Sequence, residues 1–368
     1  MAYNYVELGS LITPSKTVRC GDGDYPVLSM TMHNGLVFQD EKFKKVIASK
    51  DTSDYKVVYR NQLVISFPID EGVLAAQRIT DAGIVSPAYG IWDIDQSKIL
   101  PEFLEYALRC DRAIQYYKAK LRGSTARRRT LPTPTLLAFK VPLPCLEEQE
   151  KVIDRIHRAQ SVKEKRNEQI NKLDDLIKAR FVEMFGDPVS NPFELPVKKL
   201  SELGSLDRGR SQHRPRNAPE LLGGPYPLIQ TGEVASAGLY ITEYHNTYSE
   251  IGLKQSKMWK AGTLCITIAA NIAQTAIMTF DACFPDSVVG FVPYNEVNAL
   301  YMHYWFGFFQ KILEEQAPQV AQKNINLKIL SNLNVIVPET RMIKQFEDFV
   351  SQVDKSKQAH EYSGKLAA

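Results

Sequence analysis

The chain has 368 residues, 44% hydrophobic and 24% charged, with 45 Lys/Arg against 42 Asp/Glu. This is an ordinary globular composition, sized for two or three domains. The formal charge of +3 excludes nucleic-acid binding through bulk charge, and no run of 18 apolar residues is present to span a bilayer.

The start, "MAYNYVELGS", lacks a secretory pattern. Five scattered cysteines (Cys20, Cys110, Cys145, Cys265, Cys283) form no C-x-x-C pair. Reduced thiols and a cytoplasmic location are expected, and a zinc site is not. The first element is a mixed α and β region over 1–144. Within it, residues 55–67 ("YKVVYRNQLVISF") read as strand. Residues 100–121 ("LPEFLEYALRCDRAIQYYKAKL") read as one helix with a periodic apolar face. A basic loop follows at 118–130 ("KAKLRGSTARRRT").

Next comes a spacer over 145–188. It is a long helix from about Glu147 to Phe185, stopped by Gly186-Asp187-Pro188. At 1.5 Å per residue such a helix is about 60 Å long. Its two ends carry apolar stripes at helical spacing, with Ile153 and Ile156 at one end and Ile170, Leu173, Ile177, Phe181 and Met184 at the other. The middle is nearly all polar. A stripe of this kind needs a partner helix. A second mixed region follows over 189–337, with strand-like 262–278 and an aromatic helix over 298–316. The helical spacing of those aromatics favours burial against their own sheet over a base-stacking platform. A last helix lies within 338–363 and offers Phe346, Phe349 and Val353 as an antiparallel partner for the spacer. Residues 364–368 read as a cloning remnant.

The chain repeats itself. "VELGSL" at 6–11 returns as "SELGSL" at 201–206, "YPVL" at 25–28 as "YPLI" at 226–229, and "KVPLP" at 140–144 as "NVIVP" at 334–338. A charged helix follows the last motif in each copy. The expected fold is therefore α+β: two homologous mixed α/β domains separated by a long antiparallel, coiled-coil-like helical pair, related by a pseudo-twofold axis.

Catalytic signatures are missing from the sequence: no phosphate loop, no H-E-x-x-H, no G-x-S-x-G. "SNPFELP" at 190–196 lacks the second proline of the amino-methyltransferase motif and reads as a loop. The polar clusters are more informative. Copy one offers Arg122, Ser124, Thr125, Arg127, Arg128 and Arg129. Copy two offers Arg208, Arg210, Arg214 and Arg216, then Gln322, Lys323 and Asn324, with Gln230 and Thr231 as weaker candidates at a strand end. Arginine forks read guanine edges and amides read adenine edges in the major groove, while Lys and Arg also hold phosphates. A solvated loop with incidental charge is the alternative for each cluster. Two such clusters in a duplicated unit favour double-stranded DNA.

"VPLPCLEEQEKVIDRI", then "KRNEQINKLDDLIKARFVEMFGDP", then a second domain ending "AQKNINLKILSNLNVIVP", resembles the specificity (S) subunit of type I restriction–modification systems across essentially the whole chain. Cys145 stands where that family often has a second proline. The resemblance implies two target-recognition domains, each reading one half of a bipartite, asymmetric DNA site. Centre-to-centre spacing would be near one helical turn, about 10 bp. The helices would set the gap and dock two modification subunits. It implies no catalysis and no cofactor in this chain. S-adenosylmethionine, ATP and Mg belong to the partner subunits, which include, where present, an ATP-dependent restriction subunit. The competing readings are a coiled-coil scaffold that does not touch DNA, and a methyltransferase or nuclease with a diverged site.

Overall fold

The computed structural model describes residues 4–32, 34–42, 51–66, 69–121, 131–269, 272–309, 312 and 325–365. The chain divides into two compact units, Met1–Val162 and Lys163–Ala368. Both are α+β. Among the described residues no helix is long and apolar enough to cross a membrane.

The first unit is built on a four-stranded antiparallel sheet. Its order is Ile12–Pro14, Gly90–Ile94, Leu63–Ile65, Leu74–Ala76. Helices Pro101–Arg109 and Asp111–Lys120 pack on it through Leu104, Leu108 and Tyr117, all fully buried with Leu63 and Leu74. A hairpin, Leu28–Thr31 with Gly35–Phe38, and a strand pair, Lys56–Tyr59 with Ala82–Val85, carry a second cluster. Tyr5–Glu7 pairs with Lys140–Pro142 and closes the unit, entry strand against exit strand.

Two expectations for this unit need correction. The strand expected over 55–67 is two strands: the backbone reverses between Tyr59 and Leu63 through Asn61 at φ +70°. Alternation alone is blind to a turn made of polar residues. The single helix expected over 100–121 is broken at Cys110, whose ψ of 159° is extended. The break lets the Tyr117 hydroxyl donate back to the Leu108 carbonyl at 3.1 Å.

The second unit repeats the plan. Its five-stranded sheet runs Gly204–Arg208, Val288–Pro293, Leu264–Thr267, Thr275–Met278, Tyr240–Ile241. A smaller sheet holds Asn246–Tyr248, Leu222–Leu228, Ala282–Cys283 and Met258–Trp259. The aromatic helix Ala299–Phe306 buries Tyr301, Met302 and Trp305 completely and Phe306 nearly so, with Tyr304 half-buried against them, so its rings pack on the core. Val197–Lys199 with Asn334–Ile336 closes the unit.

Strand register shows which repeat matches are structural. The bridge of Val27 to Ile84 corresponds to that of Leu228 to Cys283, as "YPVL"/"YPLI" requires. The pairing of Val141 with Val6 corresponds to that of Val335 with Lys198, as "KVPLP"/"NVIVP" requires. The "LGSL" match does not hold. Leu8 donates to the Phe139 carbonyl and Leu200 to the Leu333 carbonyl. Asp95 donates to Leu11 and Tyr294 to Leu203. The equivalent of "VELGSL" is therefore "KKLSEL" at 198–203, three residues earlier. What the turn requires is a pair of buried leucines three apart, Leu8/Leu11 and Leu200/Leu203, and the polar residues between them are free to vary. From Leu11 to Val27 is 16 residues, whereas from Leu203 to Leu228 is 25. The nine extra residues of copy two fall in the segment that contains Arg208, Arg210, Arg214 and Arg216.

The spacer helix spans Leu146–Phe185, 40 residues. In the first unit, Ile153 joins the core with Val152 beside it, and Ile156 is half-buried. Gln149, wholly buried, explains the Glu-Glu-Gln start. Its Oε1 accepts the Leu100 N–H at 2.8 Å, and its Nε2 donates to the carbonyls of Lys98 and Pro144, both at 2.9 Å. In the second unit, Ile177, Phe181, Met184 and Phe185 are core, Leu173 packs on it and Ile170 is half-buried. The C-terminal helix Thr340–Lys365 runs antiparallel to this end. Phe346 meets Phe181 and Phe185, Arg180 lies over the Phe349 ring, and Lys357 bonds Asp174 at 2.6 Å. Phe346 and Val353 are buried in the same core. The terminator follows helix-end chemistry. Gly186 adopts φ +76° and donates to Val182 at 2.8 Å, and a Cβ there would meet Pro192 at 2.8 Å.

Candidate nucleic-acid interface

The arginine segment of the second unit begins where Gly204–Arg208 leaves its sheet. Gly209 is pressed backbone to backbone on the turn at 284–286. A Cβ there would lie 2.3 Å from the carbonyl oxygens of both Phe284 and Pro285, so only glycine fits. Gly209 N–H donates to Val288 O at 2.9 Å, and Val288 N–H to Pro285 O at 3.0 Å. Below the turn, Trp259 stacks on Phe284 at 4.8 Å. The Lys257 ammonium sits 3.9 Å over that indole and 2.7 Å from Asp207 Oδ2.

Asp286 is the hub of the segment. Its main-chain carbonyl accepts Nε and Nη2 of Arg208 at 2.9 and 2.6 Å. Its Oδ1 accepts Nη2 of Arg216 at 2.6 Å, and its Oδ2 lies 3.9 Å from Nη2 of Arg214. Arg214 also donates through Nη1 to the carbonyls of Ser211 and His213, at 2.7 and 2.9 Å. Arg210 is exposed, and its side chain has no partner among the described residues. From outside the segment, Gln255 Oε1 accepts the N–H groups of Gln212 and His213, at 2.6 and 3.1 Å. Two donors on one atom fix the amide orientation, and so Nε2 is the donor left without a partner among the described residues. Buried Ser211 Oγ is in the same condition. Arg208, Arg214 and Arg216 thus gather at Asp286, Lys257 pairs with Asp207, and Glu220 lies 3.9 Å from His213.

The structure brings Arg208, Arg214 and Arg216 together at Asp286, with Arg210 adjacent in sequence. Gln230 and Thr231 stand elsewhere, at the start of helix Thr231–Ser236, where Gln230 N–H donates to Glu233 Oε2 at 3.1 Å in a capping box. Arg122, Ser124, Thr125, Arg127, Arg128 and Arg129, with Gln322, Lys323 and Asn324, lie outside the described residues. Asp286 and Gln255 were missed in the sequence. The only signal for Asp286 is its place after Pro285 in a short turn, and Gln255 has none. Among the described residues no group of three or more His, Cys, Asp or Glu is placed to hold a metal.

Residues 192–365 match the family model of the type I restriction modification DNA specificity domain. A solved chain from a study of complex assembly and conformational transition of the type I R-M system superposes at TM-score 0.58 with 16% identity. The match covers 99% of this chain and 94% of that one. The S subunit of a type I restriction–modification system from M. genitalium superposes at TM-score 0.51 with 12% identity, covering 100% and 93%.

Proposed function

We propose that the chain is a DNA specificity subunit of the type I restriction–modification kind, a reading supported by the family-model match over residues 192–365 and by the fold it shares with the two solved chains, and that it reads a bipartite, asymmetric DNA site, one half per domain. The observation that carries this reading is the duplication itself. Two domains share the order of four main-sheet strands and the closing hydrogen bonds, yet copy two adds a fifth strand to that sheet and inserts nine residues where its arginines cluster. A common scaffold with divergent loops suits two different half-sites. Arginine forks supply guanine readout and phosphate contacts.

In this reading the helices set the unread gap and dock two modification subunits. The buried stripe of the spacer helix holds its own domains, so docking falls to what stays outside. In the second unit Leu176 and Val182 are exposed at 48% and 39%. The chain contributes no chemistry. S-adenosylmethionine for adenine N6 methylation, and ATP with Mg for a restriction subunit, are held by the partners, and the assembly works in the cytoplasm.

The test is a methylome. The chain is expressed with a cognate modification subunit in a methylation-free host, and N6-methyladenine is mapped by long-read sequencing. A two-part asymmetric motif with a fixed gap is expected. Exchange of residues 194–337 for those of another specificity subunit should change one half alone. No new methylation from an assembled complex would overturn the reading.

A further inference from the structure

The sequence assigns the arginines of the second domain to DNA and gives Asp286 no part. Resting on the DNA-reading function above, we propose that Asp286 is a positioning residue for second-half-site specificity: it fixes Arg208 and Arg216 before DNA arrives, so that base edges are read and not phosphates alone.

A free arginine samples many rotamers and finds a phosphate in most of them, which positions the protein but discriminates nothing. Base readout needs a guanidinium whose plane is already set. Asp286 supplies that from both its main chain and its side chain, as the carbonyl takes Arg208 at two nitrogens and Oδ1 takes Arg216. Nη1 of each arginine has no partner among the described residues, so both keep donors for a base. The support is rigid. The Asp286 turn is tied by Gly209 to Val288 and by Ile268 N–H to Ser287 O at 3.0 Å, and Gly209 admits no side chain. The sign of the charge matters equally. A carboxylate inside a cationic patch lowers its attraction for phosphate. Were the patch only a phosphate clamp, Asp286 would work against it. Its presence among the arginines fits selection of geometry over raw affinity.

The experiment uses Asp286→Asn, which keeps the main-chain carbonyl and the side-chain size. The full chain, assembled with its modification subunits, is titrated by fluorescence anisotropy against duplexes carrying the methylome motif or a single mismatch in either half, over a KCl series. Domain exchange identifies the second half. Discrimination there should fall about tenfold, discrimination in the first half should hold, and the log–log salt slope should steepen by about one. Asp281→Asn, which removes a carboxylate that holds Lys260 Nζ at 2.7 Å and Ala261 N–H at 2.9 Å in the same domain, should leave discrimination unchanged. The inference is overturned if Asp286→Asn keeps wild-type discrimination, if both halves lose it alike, or if Asp281→Asn has the same effect. A wild-type complex without sequence preference would instead overturn the DNA-reading function.

Discussion

Phe181→Ala tests whether the spacer helix is held by the core of the second unit. The Phe181 ring is wholly buried and meets Phe185, Tyr301, Phe308 and Phe346 at centroid distances of 5.0, 5.5, 5.5 and 5.6 Å. Truncation loses the transfer energy and leaves a cavity that four rings cannot collapse around, a cost of about 3–5 kcal/mol. The lost aromatic contacts add about 0.5–1.5 kcal/mol per pair, which places the expectation at the upper end, about 4–5 kcal/mol. For a unit spanning Lys163–Ala368, about 2–4 °C per kcal/mol predicts a melting drop of about 8–20 °C. Calorimetry reads it, with fluorescence of Trp259 and Trp305, which both lie in this unit. Leu176→Ala, on the same helix but 48% exposed, should change stability by no more than about 0.5 kcal/mol. A Phe181→Ala drop below about 3 °C, or equal effects of the two variants, would refute the packing argument.

His303 gives a pH prediction. Desolvation, helped by the Lys357 charge, depresses its pKa from the ordinary 6.5 to about 4. The stabilisation is therefore fully present above pH 6.5 and is lost as pH falls towards 4, by about 2–3 kcal/mol. Urea titrations of the wild type and His303→Gln across that window should converge as pH falls, and parallel curves would contradict the assignment. Gln149→Ala removes three hydrogen bonds at the join of the spacer helix and the first domain and strands the Leu100 N–H. A loss of about 2–4 kcal/mol is expected, read as loss of amide protection at Leu100 in hydrogen exchange, and unchanged protection would count against it. Replacing Arg127, Arg128 and Arg129 by Gln should weaken DNA binding by the assembled complex and flatten its salt slope by about one to three; an unchanged slope removes that loop from the interface.

Much of the architecture was legible because it rests on periodicities that a chain cannot hide. A stripe at 153–156 and 170–184 demands a helix with something to pack on, and two of the three repeated motifs coincide with equivalent strand pairs, Val27/Leu228 and Val141/Val335. Propensity and alternation are local, so they located these elements without reference to the fold. Where the controlling contact was distant, local reading failed. The "LGSL" match slid by three residues because only Leu8/Leu11 and Leu200/Leu203 are constrained, the first of each pair by the carbonyl at 139 or 333 and the second by the N–H at 95 or 294. The helix over 100–121 broke at Cys110, where Tyr117 reaches back to Leu108. The candidate interface divides in the same way. Its arginines are visible as composition. Their alignment on Asp286, some 70 residues away in sequence, is decided by a backbone contact between Gly209 and the 284–286 turn that exists only once the sheet has formed.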